Sequence, residues 1–169
     1  MILAELRLAA ERKQVARLIF AMLDRRLQPV ARIRDKVLEK GYSGAAIEDV
    51  LEQMRTQGLY SDRHFAEAYC RDCLAGRAVG RRYLVNKLRE KRVAGDIATA
   101  VAGEILDDAT ERELADRAAR ARWRKIRGPV DIKGVAKVVR HLQSRGFGPG
   151  PANQAARDTK PRAAGDIED

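Results

Sequence analysis

With 169 residues, 45% of them hydrophobic and only 5% aromatic, the chain holds material for one domain or a short array of small units. Its 34 Lys and Arg against 24 Asp and Glu give a formal charge of +10 at pH 7, which favours an anionic partner: nucleic acid, an acidic protein groove or a membrane surface. No apolar run nears the roughly 20 residues of a membrane span, the opening MILAELRLAAERKQ is too charged for a signal peptide, and a cytoplasmic protein is expected.

Apolar spacing is helical almost throughout, with no convincing period-two alternation. The opening segment is helix-compatible back to residue 2, and helices are expected over 15–26, 29–40 and 43–57. Pro29 suits a first turn, where its missing N–H is not needed. Gly41 and Gly58 suit helix ends closed by a left-handed residue, and Ser61 is a candidate N-cap. Further helices are expected over 62–76, 80–91 and 94–107, then over 111–127 and 129–145, with Gly128 before Pro129 as a start signal and Gly146 as a stop.

One pattern occurs three times. KVLEKGY (36–42), KLREKRV (87–93) and HLQSRGF (141–147) each end a helix, turn, and present an apolar residue: Tyr42, Val93 or Phe147. The expected architecture is all-α, an elongated array of three tandem three-helix repeats, the last one eroded. Residues 1–60 hold an N-terminal helix and the first repeat, 61–110 the second, and 111–150 the third, whose last helix is short or absent. The closing GPGPANQAARDTKPRAAGDIED offers Ala where the other repeats offer Ile or Leu, and residues 151–169 read as a disordered tail.

Charge is distributed unevenly. Residues 71–92 carry 8 basic and 2 acidic groups, 93–111 carry 5 acids and no Lys or Arg, and 112–147 carry 11 basic and 3 acidic groups. In the helix expected over 80–91, Leu84 and Leu88 make a buried stripe that Val93 continues, while Arg82, Asn86 and Arg89 share another face bordered by Arg81 and Lys87. That face reads either as a solvated surface ion-paired to Glu104, Asp107 or Asp108, or as a contact for phosphate or a protein. In 111–127, Arg117, Arg120, Arg124 and Arg127 fall within an arc of about 80°, opposite Ala115, Ala118, Ala119, Trp123 and Ile126. Arg122 lies inside the apolar arc, and snorkelling is the one account the pattern offers. In the next helix Lys133, Lys137 and Arg140 lie opposite Val135, Val138, Val139 and Leu142. Seven positive charges on two helices exceed what solubility requires and favour an anionic contact. Trp123 reads as a core anchor rather than a base-stacking platform.

Cys70 and Cys73 form a lone CxxC, which supplies two ligands where a structural zinc wants four; they read as small helix residues. There is no P-loop, no Gly-rich dinucleotide turn and no Ser/His/Asp set. No enzyme, metal or cofactor is expected.

GLYSDRHFAEAYCRD (58–72) followed by GRRYLVNKLREKRV (80–93) resembles the signature of the RecX regulatory proteins, through Gly58, Leu59, Asp62, Phe65, Ala66, Tyr69, Gly80, Arg82, Leu84, Leu88, Lys91 and Val93. Arg92 stands where that family usually has Gly, and AGRAVG (75–80) replaces a more regular link. The resemblance implies tandem three-helix repeats and a protein that binds and modulates the RecA recombinase filament, mostly as an inhibitor, in DNA repair, recombination and the SOS response. The implied partner is RecA, with single- or double-stranded DNA as a second, and the chain is expected to act as a monomer away from membranes. The candidate contact residues are Arg117, Arg120, Arg124, Arg127, Lys133, Lys137 and Arg140, then Arg81, Arg82, Lys87 and Arg89. The alternative is a stand-alone helical DNA-binding protein, with a helix-turn-helix reading of 62–91.

Overall fold

The structure, a computed structural model, describes residues 2–127 and 130–161. The expected start signal Gly128-Pro129 and the last eight residues of the tail lie outside them. The described residues form nine helices and no strand: α1 (Ile2–Arg25), α2 (Val30–Glu39), α3 (Gly44–Thr56), α4 (Asp62–Gly76), α5 (Arg81–Glu90), α6 (Gly95–Ile105), α7 (Asp108–Trp123), α8 (Ile132–Ser144) and α9 (Pro149–Asp158). This is the all-α, tandem three-helix architecture that the periodicity predicts.

The three related turns share one backbone solution. Gly41, Arg92 and Gly146 all take positive φ, at 86°, 65° and 82°. Val93 N–H then reaches back to Leu88 O at 3.1 Å, and Phe147 N–H to Leu142 O at 3.1 Å, closing α5 and α8 on their own last carbonyls. Arg92 therefore keeps the glycine-type turn at a left-handed cost that glycine avoids.

The chain divides into two compact units. One comprises the described residues up to Ala68 with Leu88–Ala98, the other Tyr69–Lys87 with those from Thr99 onward. Helices α4, α5 and α6 each run from one unit into the other, so the middle repeat is shared rather than separate.

In the first unit α1 packs on α2 and α3, burying Val15, Ile19, Ile33, Val37, Ile47 and Val50. Ser43 caps α3 by accepting from Ala46 N–H at 3.3 Å. The Glu11 carboxylate accepts from both Ser43 N–H and Ser43 Oγ, which holds it below the usual carboxylate range. Helix α2 starts at Val30, one residue later than expected, because Pro29 stands at its N-cap in an extended conformation. Its cap comes from afar: Val30 N–H donates to Asp62 Oδ1 at 2.8 Å. Burial raises the Asp62 carboxyl, opposed by that hydrogen bond and by Arg34.

In the second unit α7, α8 and α9 pack mutually around Ala115, Ala119, Trp123, Val138, Leu142 and Phe147. The ninth helix corrects two expectations. It is ten residues long, as long as α2 and α5, and residues 151–158 are helical rather than a disordered tail. Its small residues are the reason it packs: Ala152, Ala155 and Ala156 are buried and let the backbone approach Trp123, whose Nε1–H donates to Ala156 O at 3.1 Å. Pro149 opens the helix and Pro151 follows within its first turn, where an absent N–H costs nothing. Ten residues of chain thus gain a core from one bulky neighbour rather than from branched side chains of their own.

The start of α5 is fixed by backbone contact with the turn after α8. Gly80 N–H donates to Arg145 O at 2.9 Å and Arg82 N–H to Gly146 O at 3.2 Å. A Cβ on Gly80 would lie 2.3 Å from Gly146 O.

Candidate functional site

Residue by residue, the basic stretch 71–92 is more committed internally than its charge suggests. Arg81 N–H donates to Glu111 Oε1 at 2.8 Å. Its guanidinium holds Asp108 at 2.6 Å and Glu111 Oε2 at 3.1 Å. Those carboxylates hold its proton more firmly than usual, the Asp108 hydrogen bond first. Glu111 is buried, and this pairing is what satisfies it. The arrangement repeats the long-range cap of α2: the first N–H of α5, like that of α2, is taken by a carboxylate from the first turn of the helix that opens the next repeat. Lys87 lies 5.8 Å from the centroid of the Tyr83 ring, a cation–π arrangement. Arg82 and Arg89 are exposed, and the Arg89 guanidinium lies against Gly95. Leu84 and Leu88 are fully buried, as the stripe requires.

The third repeat is built differently. Asp107 caps α7 by accepting from Thr110 N–H at 2.7 Å, and Asp108 and Glu111 occupy the first turn, where the helix dipole favours negative charge. Glu113 and Asp116 follow, and from Arg117 onward the helix carries arginines and no acid. Arg117 and Arg120 are exposed on α7 and Arg124 is exposed at its C-cap. The helix ends at Trp123 rather than at 127, so Arg127, though exposed, lies beyond it and leaves the expected arc. The reason is local: Lys125 N–H turns back to Arg122 O and Ile126 N–H to Trp123 O, tightening the end once Trp123 has reached its place under α9. Helix α8 starts at Ile132, capped by Asp131 through Gly134 N–H at 2.8 Å. It buries Val138 and Leu142 and leaves Lys133, Lys137 and Arg140 exposed. Among the described residues, no ion pair involves Arg117, Arg120, Arg124, Lys133, Lys137 or Arg140.

Of the predicted residues, Arg117 is brought to a concave site. It lines a cavity together with Arg122, Lys125, His141 and Arg145, none of which is among the contact residues expected from the sequence. The one signal for Arg122 was its misfit in an apolar arc. Burial and the neighbouring Arg145, Arg122 and Lys125 lower the His141 pKa from its ordinary value. The Cys70 thiol is fully buried and pushed up to about 11, by burial first and Cys73 second. It is therefore held as an inert thiol.

Residues 61–101, which span α4, α5 and most of α6, match the second three-helix domain of RecX. The regulatory protein RecX of Mycobacterium tuberculosis is 31% identical over 144 residues, 82% of this chain and 82% of the relative. The chain belongs to the RecX family. Two RecX crystal structures share the fold: that from Lactobacillus salivarius with a TM-score of 0.75 at 16% identity, over 89% of this chain and 97% of that one, and a regulatory protein RecX with a TM-score of 0.73 at 20% identity, over 92% and 76%. The residues identified with the RecX signature have visible structural work here: Asp62 caps α2, Gly80 admits the turn of α8, and Leu84, Leu88 and Val93 are buried.

Proposed function

We propose that this chain regulates the RecA recombinase by binding its filament on DNA, without chemistry of its own, and that the third repeat carries the main electrostatic contact. Membership of a family of regulatory proteins supports the first part. The observation that carries the second is an asymmetry of partners. Of the four candidates in 81–89, Arg81 is held by two carboxylates and Lys87 lies against a ring, which leaves Arg82 and Arg89, whereas all six of Arg117, Arg120, Arg124, Lys133, Lys137 and Arg140 have no carboxylate among the described residues. Positive groups left uncompensated raise the local potential and draw an anionic surface, either DNA phosphate or acidic protein. On this reading the outcome for RecA is inhibition, through contacts that impede filament growth or ATP turnover.

The test is RecA ATP hydrolysis on single-stranded DNA with increasing amounts of the protein. Inhibition is expected, and the double variant Arg120→Glu/Arg124→Glu is expected to need at least ten times more protein for the same effect. Arg82→Glu/Arg89→Glu should cost less. Full inhibition by a folded Arg120/Arg124 double variant would remove the third repeat from the contact. Tight DNA binding with no effect on RecA would favour the stand-alone DNA-binding alternative.

A further inference from the structure

The cavity beside α7 and α8 measures about 220 Å³ and its charged lining is entirely basic: Arg117, Arg122 and Lys125 from α7 and the turn after it, His141 and Arg145 from α8 and its C-cap. The rest of its lining is small: Ala78, Ala118 and Ala121. The Arg122 Nε is buried and has no hydrogen-bond partner. Arg145 has one acceptor, the carbonyl of Ala78 at 3.2 Å. A buried guanidinium N–H left unpaired is unfavourable, and like charges around one space repel. An anion entering the cavity relieves the repulsion among its cations and brings an acceptor to the lining guanidinium of Arg122.

We infer that this cavity is an oxyanion site that takes one phosphate of a nucleic-acid backbone. Donors reach it from α7 and from α8, which suits a tetrahedral group accepting from several directions better than a planar carboxylate with two oxygens. The backbone source is favoured because Arg117 belongs both to the cavity and to the exposed side of α7, where Arg120 lies one turn away and Arg124 follows at the C-cap. A strand with one phosphate in the cavity would therefore find further cations for its neighbouring phosphates. This deepens the electrostatic reading above and rests on it only for the claim that the third repeat faces an anion; RecA has no part in it.

His141 makes the site sensitive to pH. The groups facing it are Arg117, Arg122 and Lys125 from the α7 side and Arg145 from its own helix, while α9, also packed on α8, contributes no lining residue. Burial first, then Arg145, Arg122 and Lys125, disfavour a protonated imidazole in the empty cavity, and a bound phosphate opposes that. Affinity should rise as pH falls from 8 to 6.

The experiment is fluorescence anisotropy of the full chain with a labelled oligo(dT), across a KCl series and at pH 8 and 6, for wild type, Arg122→Met, Lys125→Met and His141→Gln. Inorganic phosphate, against chloride at equal ionic strength, is the second arm, read as a shift in Tm. Arg122→Met is expected to melt no lower than wild type without phosphate, to lose the stabilisation by phosphate, to bind oligo(dT) at least ten-fold more weakly, and to shed about 0.7 from the log–log salt slope, one single-strand phosphate contact. His141→Gln should remove the gain at pH 6. Lys125→Met, at an exposed position, gives the same comparison if the Arg122 variant fails to fold. Unchanged affinity and slope in these variants would overturn the proposal. Stabilisation by inorganic phosphate with DNA binding unaltered would make this a free-phosphate site, and loss of RecA inhibition with DNA binding unaltered would make it a pocket for protein carboxylate; either result overturns it. Loss of DNA binding with no RecA effect in wild type would leave the site standing and remove the RecA reading alone.

Discussion

Gly41, Arg92 and Gly146 hold the same left-handed position in their repeats, yet their surroundings differ. Nothing lies within 4 Å of a Cβ built on Gly41, whereas one on Gly146 would lie 2.3 Å from Tyr83 N and 2.5 Å from Tyr83 Cβ. Gly146→Ala therefore combines a left-handed residue with a collision against backbone that cannot swing aside, and should cost about 2–4 kcal/mol. Arg92→Gly relieves the left-handed residue but frees the unfolded chain and removes an exposed ion pair with Asp35. Its net effect should stay within about 1 kcal/mol. Thermal melting checks both: a fall of several degrees is expected for Gly146→Ala and little change for Arg92→Gly.

The same scale holds the cap at Asp62. Asp62→Ala leaves the part-buried Val30 N–H without its acceptor and should cost about 1–2 kcal/mol, whereas Asp62→Asn keeps an acceptor oxygen and sheds a buried charge, and should retain most of the stability. Because burial raises the folded carboxyl above its unfolded value, the folded state holds its proton to higher pH. This residue therefore makes the protein relatively more stable as pH falls through the folded pKa, and that increment should be missing in Asp62→Asn. Equal melting of the Ala and Asn variants would show that the cap contributes nothing.

At the scale of elements, what the sequence revealed depended on side-chain type. Branched residues at helical spacing in α2, α3, α5 and α8 announced both the helices and their buried faces, and glycines marked two of the three shared turns. Helix α9 went unread because its core is three alanines, whose burial matters only once Trp123 supplies the bulk they lack. The end of α7 was placed four residues late because Gly128-Pro129 is the first visible stop, while the helix ends where Trp123 docks. The caps by Asp62 and Glu111 and the cavity around Arg122 join residues from different helices, which no local pattern can express. Helix α9 also decides what truncation does. Removing residues 149–169 strips Ala152, Ala155 and Ala156 from the second unit and leaves Trp123 uncovered. Burying a Trp is worth about 3–5 kcal/mol by truncation to Ala, so this deletion should lower Tm by on the order of 10 °C and red-shift Trp fluorescence. Removing only 160–169, beyond the helix, should do neither. A 149–169 deletion that melts like wild type would mean α9 adds no stability.

For the molecule as a whole, the proposed function divides the net charge of +10 between two electrostatic roles, which salt would separate. The pair that closes the fold, Arg81 with the buried Glu111, is partly shielded from solvent, and screening acts mainly on exposed groups. Charges that meet phosphate displace counterions, so the logarithm of the binding constant falls linearly with that of salt, by about 0.7 per contact on single strands. Co-sedimentation with the RecA–DNA filament over a range of KCl should give a steep slope for wild type, and Arg120→Glu/Arg124→Glu should lower its magnitude by about 1.4, two contacts. Arg82→Glu/Arg89→Glu should leave the slope near wild type while weakening binding modestly. Protein stability should vary little across the same range, because its core is apolar and its ion pairs are mostly exposed ones that each contribute little. If the slope is shallow and both double variants shift it equally, acidic protein surface rather than phosphate is what the basic residues meet, because contacts between proteins are screened over about 8–10 Å at physiological salt without the same release of condensed counterions.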